Sequence, residues 1–378
     1  MTKMLLSPVR HITITLIAFI VVGLFALVTI NVSFLNPIAR TLEEFSVSDL
    51  YFQALQSTVK PDTSRAISIV DMTELHDRRQ IAECIDEIEK LNPKILGIDI
   101  IFEGEKFDNI DGDMAIMKVA SNYPNAIYSY RLLDYDPQQR QYCSEIHSFF
   151  ADSTIVSEGF TNFERSLYTG IKRNLEFGLR SKGQQKSSFV TKLVNSYSGQ
   201  ETVPNDGYMT INFIPTYFQQ IPYDSLKYYG EYIKDRIILL GSTSEESDMH
   251  YTPLGKMAGV KLLAYSIQTL INRNEINELP WVFKCVLSFL LVLLTQLLQD
   301  TYEKHVGRLN SQLIRSFLSS SLALGILTFL WMIILMWIGF MSFTLGQLNL
   351  SLGWALSAIA FVDAARSFYD TCVESLKT

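Results

Sequence analysis

Four long apolar runs limit what this chain can fold into. Residues 12–30, ITITLIAFIVVGLFALVTI, carry no charge, and three more runs stand near the other end. These are 281–298 (WVFKCVLSFLLVLLTQLL), 317–340 (FLSSSLALGILTFLWMIILMWIGF) and 343–362 (FTLGQLNLSLGWALSAIAFV). A helix needs about 20 apolar residues to cross a hydrocarbon core. All four are near that length, the second with the stem of Lys284 snorkelling to the interface. The pattern predicts four transmembrane helices, one N-terminal and three C-terminal. A signal peptide flanked by Lys3 and Arg10 is the alternative for the first run. Its apolar core is longer than the usual roughly 7–15 residues, and NVSFLNPIAR is a poor cleavage site.

Basic residues orient the runs. Lys3 and Arg10 precede the first; Lys304, Arg308 and Arg315 lie between the second and third; Arg366 and Lys377 follow the fourth. One topology satisfies every loop, with both termini cytoplasmic and residues 31–280 extracytoplasmic. The expected parts are a cytoplasmic N-terminus and first span (1–30), an extracytoplasmic domain (31–280), a three-helix bundle (281–362) and a short cytoplasmic tail (363–378). The lipid bilayer is the first expected partner.

Charge follows the same division. Residues 31–280 hold 24 Lys and Arg against 34 Asp and Glu, a balance of −10. An acidic exterior argues against nucleic acid, which is met by a basic stripe. Of the four cysteines only Cys84 and Cys143 share the oxidising side. A bridge between them is one reading; a buried free thiol at Cys84, on a stripe with Ile81, Ile85, Ile88 and Leu91, is the other.

Within 31–280 short apolar runs alternate with amphipathic stretches. Strands are expected at 65–71, 93–102, 125–133, 153–163, 172–180, 207–214 and 235–241. Helices are expected at 74–91, 111–122, 187–198 and 258–272, and a helical connector leads in through Leu42, Phe45, Leu50, Phe52, Leu55 and Val59. The βαβαβ rhythm with nearly continuous apolar strands predicts an α/β domain, a mixed and mainly parallel sheet flanked by helices.

Enzyme motifs are missing. After Gly241 the residues STSEESD replace a phosphate loop's lysine with acids. There is no G-x-S-x-G, and the histidines lack zinc spacing. The positive signal is positional. Asp71 closes one buried run, Asp99 interrupts another, and Ser242, Thr243 and Asp248 follow a third. Ligands of open α/β sheets sit beyond the carboxyl ends of strands. If the three strands are neighbours, Asp71, Asp99, Ser242, Thr243, Asp248 and Thr252 line one crevice for a small ligand. The plain alternative gives them capping and turn roles; a third lets Asp71, Asp99 and Asp248 hold a hard cation. In the membrane part, Gly353 and Ser357 form a small-xxx-small pair, which serves packing within the bundle or a homo-oligomer face. No ionisable residue stands at mid-membrane.

The chain resembles bacterial CHASE2-domain receptors. The resemblance rests on KILGIDIIFEG, on DGDMAIMK after it, and on the closing run IKDRIILLGSTSEESDMHYTPLGKMAGVKLLAYSIQTLI. The family's strand ending in G-x-[ST], its Asp before Thr-Pro, and its Gly-Val opening a helix fall on Gly241, Thr243, Asp248, Thr252–Pro253 and Gly259–Val260. Ala258 and Leu263 stand where members often have proline and histidine, and the middle signature survives only as GFTNFERSLYTGIKR. The resemblance implies a one-plus-three topology and a sensor that binds an extracytoplasmic ligand or partner. With about sixteen residues after the last run, too few for an output domain, the expected effector is a separately encoded cytoplasmic protein. No enzyme activity and no cofactor are expected. An ectoenzyme built on an Asp71/Asp99/Asp248 metal crevice and a structural membrane subunit or pore component are the rivals.

Overall fold

The computed structural model describes residues 8–31, 47–163 and 170–376. Lys3 and Lys377, the connector positions Leu42 and Phe45, and the stretch ERSLYT of the middle signature lie outside the described residues. The chain divides into two compact units, Phe52–Ile276 and Met1–Tyr51 with Asn277–Thr378.

The first helix is α1 (Pro8–Asn31), and α2 (Val47–Thr58) leads into the larger unit. There the order is β1 (Asp62–Asp71), α3 (Arg78–Lys90), β2 (Ile95–Ile98), α4 (Ile110–Asn122), β3 (Ala126–Asp136), β4 (Gln141–Ile146) and β5 (Ser157–Phe160). It continues with β6 (Asn174–Glu176), β7 (Gly178–Ser181), β8 (Gln184–Ser187), α5 (Phe189–Ser198), β9 (Tyr208–Thr210) and β10 (Thr216–Pro222). The last elements of this unit are β11 (Ile237–Gly241), the hairpin β12 (Met249–Thr252) and β13 (Gly255–Ala258), and α6 (Gly259–Asn272).

Among the described residues nine strands form one mixed sheet in the order β10-β1-β11-β2-β3-β4-β7-β8, with β5 also on β3. The segment from β10 to β3 is parallel throughout. Strand β11 lies between β1 and β2, so the condition on which the crevice was read, that these three strands are neighbours, is met. The second expected strand is shorter than its apolar run. β2 stops at Ile98, and Asp99 begins the loop with its N–H on Leu240 O (2.9 Å).

Alternation along the strands sorts side chains between two helical layers. Val70, Leu96, Ile98, Ile238 and Leu240 pack with Ile81, Ile85 and Ile88 of α3 and Ile116 and Val119 of α4. Helix α3 starts on Asp77, whose carboxylate accepts from Arg79 N and Gln80 N. The opposite face carries α5 and α6. At Gly97 a Cβ would meet Leu193, Leu239 and Phe189, each at 3.0 Å, so this residue's lack of a side chain lets α5 lie against β2. Cys84 and Cys143 are both free, one buried in α3 and one exposed, which settles that pair against a bridge.

The smaller unit contains β14 (Asn277–Glu278), α7 (Trp281–Gly307), α8 (Gln312–Leu318), α9 (Ser321–Gly346), β15 (Leu348–Asn349), α10 (Gly353–Ala360) and α11 (Val362–Ser375). Among the described residues α7 and α9 are long and apolar enough to cross a membrane; in α1 the described apolar helix is Pro8–Leu24. The run expected as the fourth span is not one continuous helix. Residues 343–362 hold the end of α9, a left-handed cap at Gln347 (φ 49°), the β15–β14 pair and an eight-residue α10. The polar stretch GQLNLS breaks the helix: the Asn349 side chain accepts from Ser351 N (3.1 Å) instead of facing apolar surroundings.

Candidate functional site

Loops after β1 and β11 leave the sheet toward opposite helical layers, since β1 runs on to α3 and β11 to α6. Such a switch point opens a crevice at the strands' carboxyl ends. The register places Asp71 beside Gly241. Asp71 Oδ1 accepts from Thr73 N (3.1 Å), Thr73 Oγ1 (2.6 Å) and Thr243 N (3.2 Å), and Oδ2 accepts from Thr243 Oγ1 (2.7 Å). Burial alone would raise this carboxyl group's pKa, but the bonds from Thr73 and Thr243 outweigh it and hold it below 3.8. Ser242 Oγ lies 3.0 Å from Thr73 Oγ1 and accepts from Glu245 N (3.0 Å). Asp71, Ser242 and Thr243 therefore do come together, but they spend their hydrogen bonds on one another and on Thr73. The group is a latch between the β1 and β11 loops.

Asp99 and Asp248 stand on the other side of β11. Burial first, and then the charge of Asp248, pushes the Asp99 carboxyl up to about 7, against the opposing pull of His250 and Arg131. Asp248 Oδ2 accepts from Gly259 N (3.2 Å), supplying the N-terminal cap that Ala258 at the start of α6 cannot, and its Oδ1 lies 3.5 Å from His250 Nε2. A Cβ at Gly259 would fall 2.5 Å from Asp248 Oδ2, and one at Gly241 would fall 3.0 Å from Val260 Cγ2. These contacts give a physical reason for the run Gly241…Asp248…Gly259–Val260: a strand end, a remote cap and a helix start that fit only without side chains at the two glycines.

Thr252 lies elsewhere. It is buried, donates to Gly255 O (2.8 Å) and accepts from Leu254 N (3.2 Å), so it closes the β12–β13 turn and does not line the crevice. Among the described residues no three His, Cys, Asp or Glu side chains are placed to hold a metal ion. Asp71 is held by threonines and Asp248 by a helix end.

Two clusters escaped the sequence reading. In the larger unit His147 sits between carboxylates, Nδ1 2.6 Å from Glu158 and Nε2 3.0 Å from Glu145, and stacks on Tyr130 with ring centroids 4.4 Å apart. Lys186 Nζ lies 3.6 Å from Glu145. The Glu158 bond, reinforced by Glu145 and opposed by burial, raises the imidazole's pKa above 6.5.

The second cluster lies inside the smaller unit. Helix α7 continues nine residues past the expected span end and carries Gln296, Gln299 and Asp300 into the interior, at 0, 2 and 4% exposure. Gln296 Nε2 donates to Thr15 Oγ1 (2.6 Å) and His11 O (3.2 Å) of α1. Asp300 faces His11 Nε2 (3.3 Å) and accepts from Arg366 of α11 (3.1 Å), which also bonds Glu303 (2.9 Å). Gln299 donates to Asp363 (3.1 Å), and Arg10 pairs with Asp370 (3.1 Å). Each residue alone reads as the polar flank of a span, and only the bundle shows them facing inward. Buried ionisable groups within such helices are costly and mark function more often than packing.

A sequence model of the CHASE2 domain family matches residues 17–298, about three quarters of the chain. No curated protein and no solved structure matches.

Proposed function

The chain belongs to the CHASE2 domain family, whose domains are extracytoplasmic sensors in membrane proteins, and we propose that it works as a sensor without chemistry of its own. In this reading the α/β unit binds a small ligand or partner outside a bacterial inner membrane. The smaller unit relays the change to a separately encoded cytoplasmic effector. The observation that carries the relay is the buried cluster of His11, Asp300 and Arg366. It joins the helix that precedes the sensor (α1), the one that follows it (α7) and the C-terminal helix α11 through charges that have few partners to spare. Two arrangements of such a cluster differ by discrete hydrogen bonds, which is what a two-state relay requires. The latch at Asp71 supports the sensor reading over an ectoenzyme, because its acid and hydroxyls are spent in linking two loops.

The test is capture of the solubilised full chain's cytoplasmic partner, with Arg366→Gln and the intact chain compared side by side. The relay reading expects a partner whose recovery differs between the two. Recovery of none, with or without residues 363–378, would sink the effector part.

A further inference from the structure

The acidic larger unit contains one cavity of the opposite character. It measures about 300 Å³ and lies between the sheet's edge strand β10, the β12–β13 hairpin, the first turn of α6 and Gln56 of α2. Two lysines, Lys256 and Lys261, are among its lining residues, and no Asp or Glu is. In a segment whose balance is −10, that local inversion demands an explanation.

The two lysines differ. Lys256 is exposed and pairs with Glu246 outside the cavity. Lys261 is half-buried, and none of the ion pairs or hydrogen bonds among the described residues includes it. With no carboxylate among the lining residues, an anion entering the cavity meets an ammonium group that no acid already holds. The rest of the wall defines that anion's body. Phe218, Met249, Leu254 and Met257 give an apolar side, with methionines able to adapt to shape. Gln56, Gln220 and Thr243 add neutral donors and acceptors. The volume suits a ligand of about ten to fifteen non-hydrogen atoms, within the small-molecule range.

We infer that this cavity is the sensor's ligand site and takes a small amphipathic anion, its carboxylate or phosphate on Lys261 and its apolar body against Phe218 and the hairpin methionines. The inference rests on the sensor reading and specifies its ligand class. Thr243 couples the cavity to the latch, since it lines the cavity while its hydroxyl and amide hold Asp71. An occupant also touches α2 and the hairpin that feeds α6, the elements by which the chain enters and leaves this unit.

The test is a binding titration on the full chain in lipid nanodiscs. The probes are 3-phenylpropanoate and phenyl phosphate, with 3-phenylpropanol and 3-phenylpropylamine as neutral and cationic counterparts. Either anion is expected to bind at least about tenfold more tightly than the alcohol, the ratio a charge-assisted bond provides. Whichever anion leads separates a carboxylate source from a phosphate source. Lys261→Met should remove that preference and Lys261→Arg should keep it within a few-fold; Met257→Trp, which fills the cavity, should weaken both anions. Equal binding of anion and alcohol, or an anion preference that survives Lys261→Met, overturns the inference. The titration needs no signal output. A failure here leaves the relay standing, and binding without any response in the membrane helices would count against the relay alone.

Discussion

Replacing Asp71 with asparagine tests the latch most cleanly, because the shape is kept and one acceptor oxygen becomes a donor. Asp71 accepts four hydrogen bonds, two of them from Thr243 across the strand boundary. Asparagine keeps the contacts only with its nitrogen toward Thr243 Oγ1, whose hydroxyl must turn to accept, and the bonds to its neutral oxygen lose their charge assistance. Each such bond contributes about 1.5–3 kcal/mol, and because Asp71 is only half-buried the lower end applies, about 1.5–2 kcal/mol for opening the loop. That corresponds to about 10–30-fold faster amide exchange in the peptide covering 241–248 when exchange reports local opening. The assay is hydrogen exchange read by mass spectrometry on the full chain in nanodiscs, which follows the sensor unit directly. Tryptophan fluorescence cannot, since all four tryptophans lie between Trp281 and Trp354. The β7–β8 hairpin, on the far side of the sheet, should be unchanged. In a double-mutant cycle with Thr243→Val the two effects should fall short of additive by about 1–2 kcal/mol. Exchange at 241–248 that is indifferent to Asp71→Asn would refute the latch.

Three further outcomes follow from the same geometry. Glu158 and Glu145 flank His147 and raise its pKa, so its contribution to stability is fully present below pH 6.5 and is lost as pH rises through the folded value; sensor-unit stability should fall as pH is raised above 6.5, and His147→Gln should flatten that limb. Gly259→Ala should cost about 1–3 kcal/mol, because the new methyl group displaces the Asp248 cap; thermal melting of the chain with Asp248→Ala already present should show a smaller loss. Asp300→Leu should destabilise the smaller unit by about 3–5 kcal/mol by leaving the buried Arg366 short of a counter-charge, and adding Arg366→Met should recover part of it, both read by tryptophan fluorescence.

Periodicity was enough to read the α/β rhythm, because β1, β2 and β11 are apolar on both faces and helices α3 and α6 present single stripes. What it could not show was that β11 inserts between β1 and β2, since strand partnership is decided by packing between distant segments. Strand β10, TYFQQIP, was missed because two glutamines interrupt its apolar pattern and its edge position does not demand one. Hydropathy averages over Gln347 and Asn349, so it could not show that α9 ends at Gly346 and that the next helix starts only at Gly353. At the site, Asp71 was legible from its place at a strand end. Thr73, two residues on, was a readable sign that the carboxylate would turn back on its own loop. The His11–Asp300–Arg366 cluster was not legible, since its members look like ordinary interfacial charges until the helices are side by side. Lys261 likewise looked like one lysine among many until the cavity showed no acid in its lining.

The central claim is that occupancy of the sensor unit changes how α1 and α7 meet inside the membrane unit. Spin labels at Val9 and Leu297, both exposed on their helices, report that packing by pulsed dipolar spectroscopy in nanodiscs, with the native cysteines replaced by serine. The account predicts that 3-phenylpropanoate shifts the distance distribution and that Lys261→Met abolishes the shift. A distribution that stays the same in samples where the anion is demonstrably bound would contradict it.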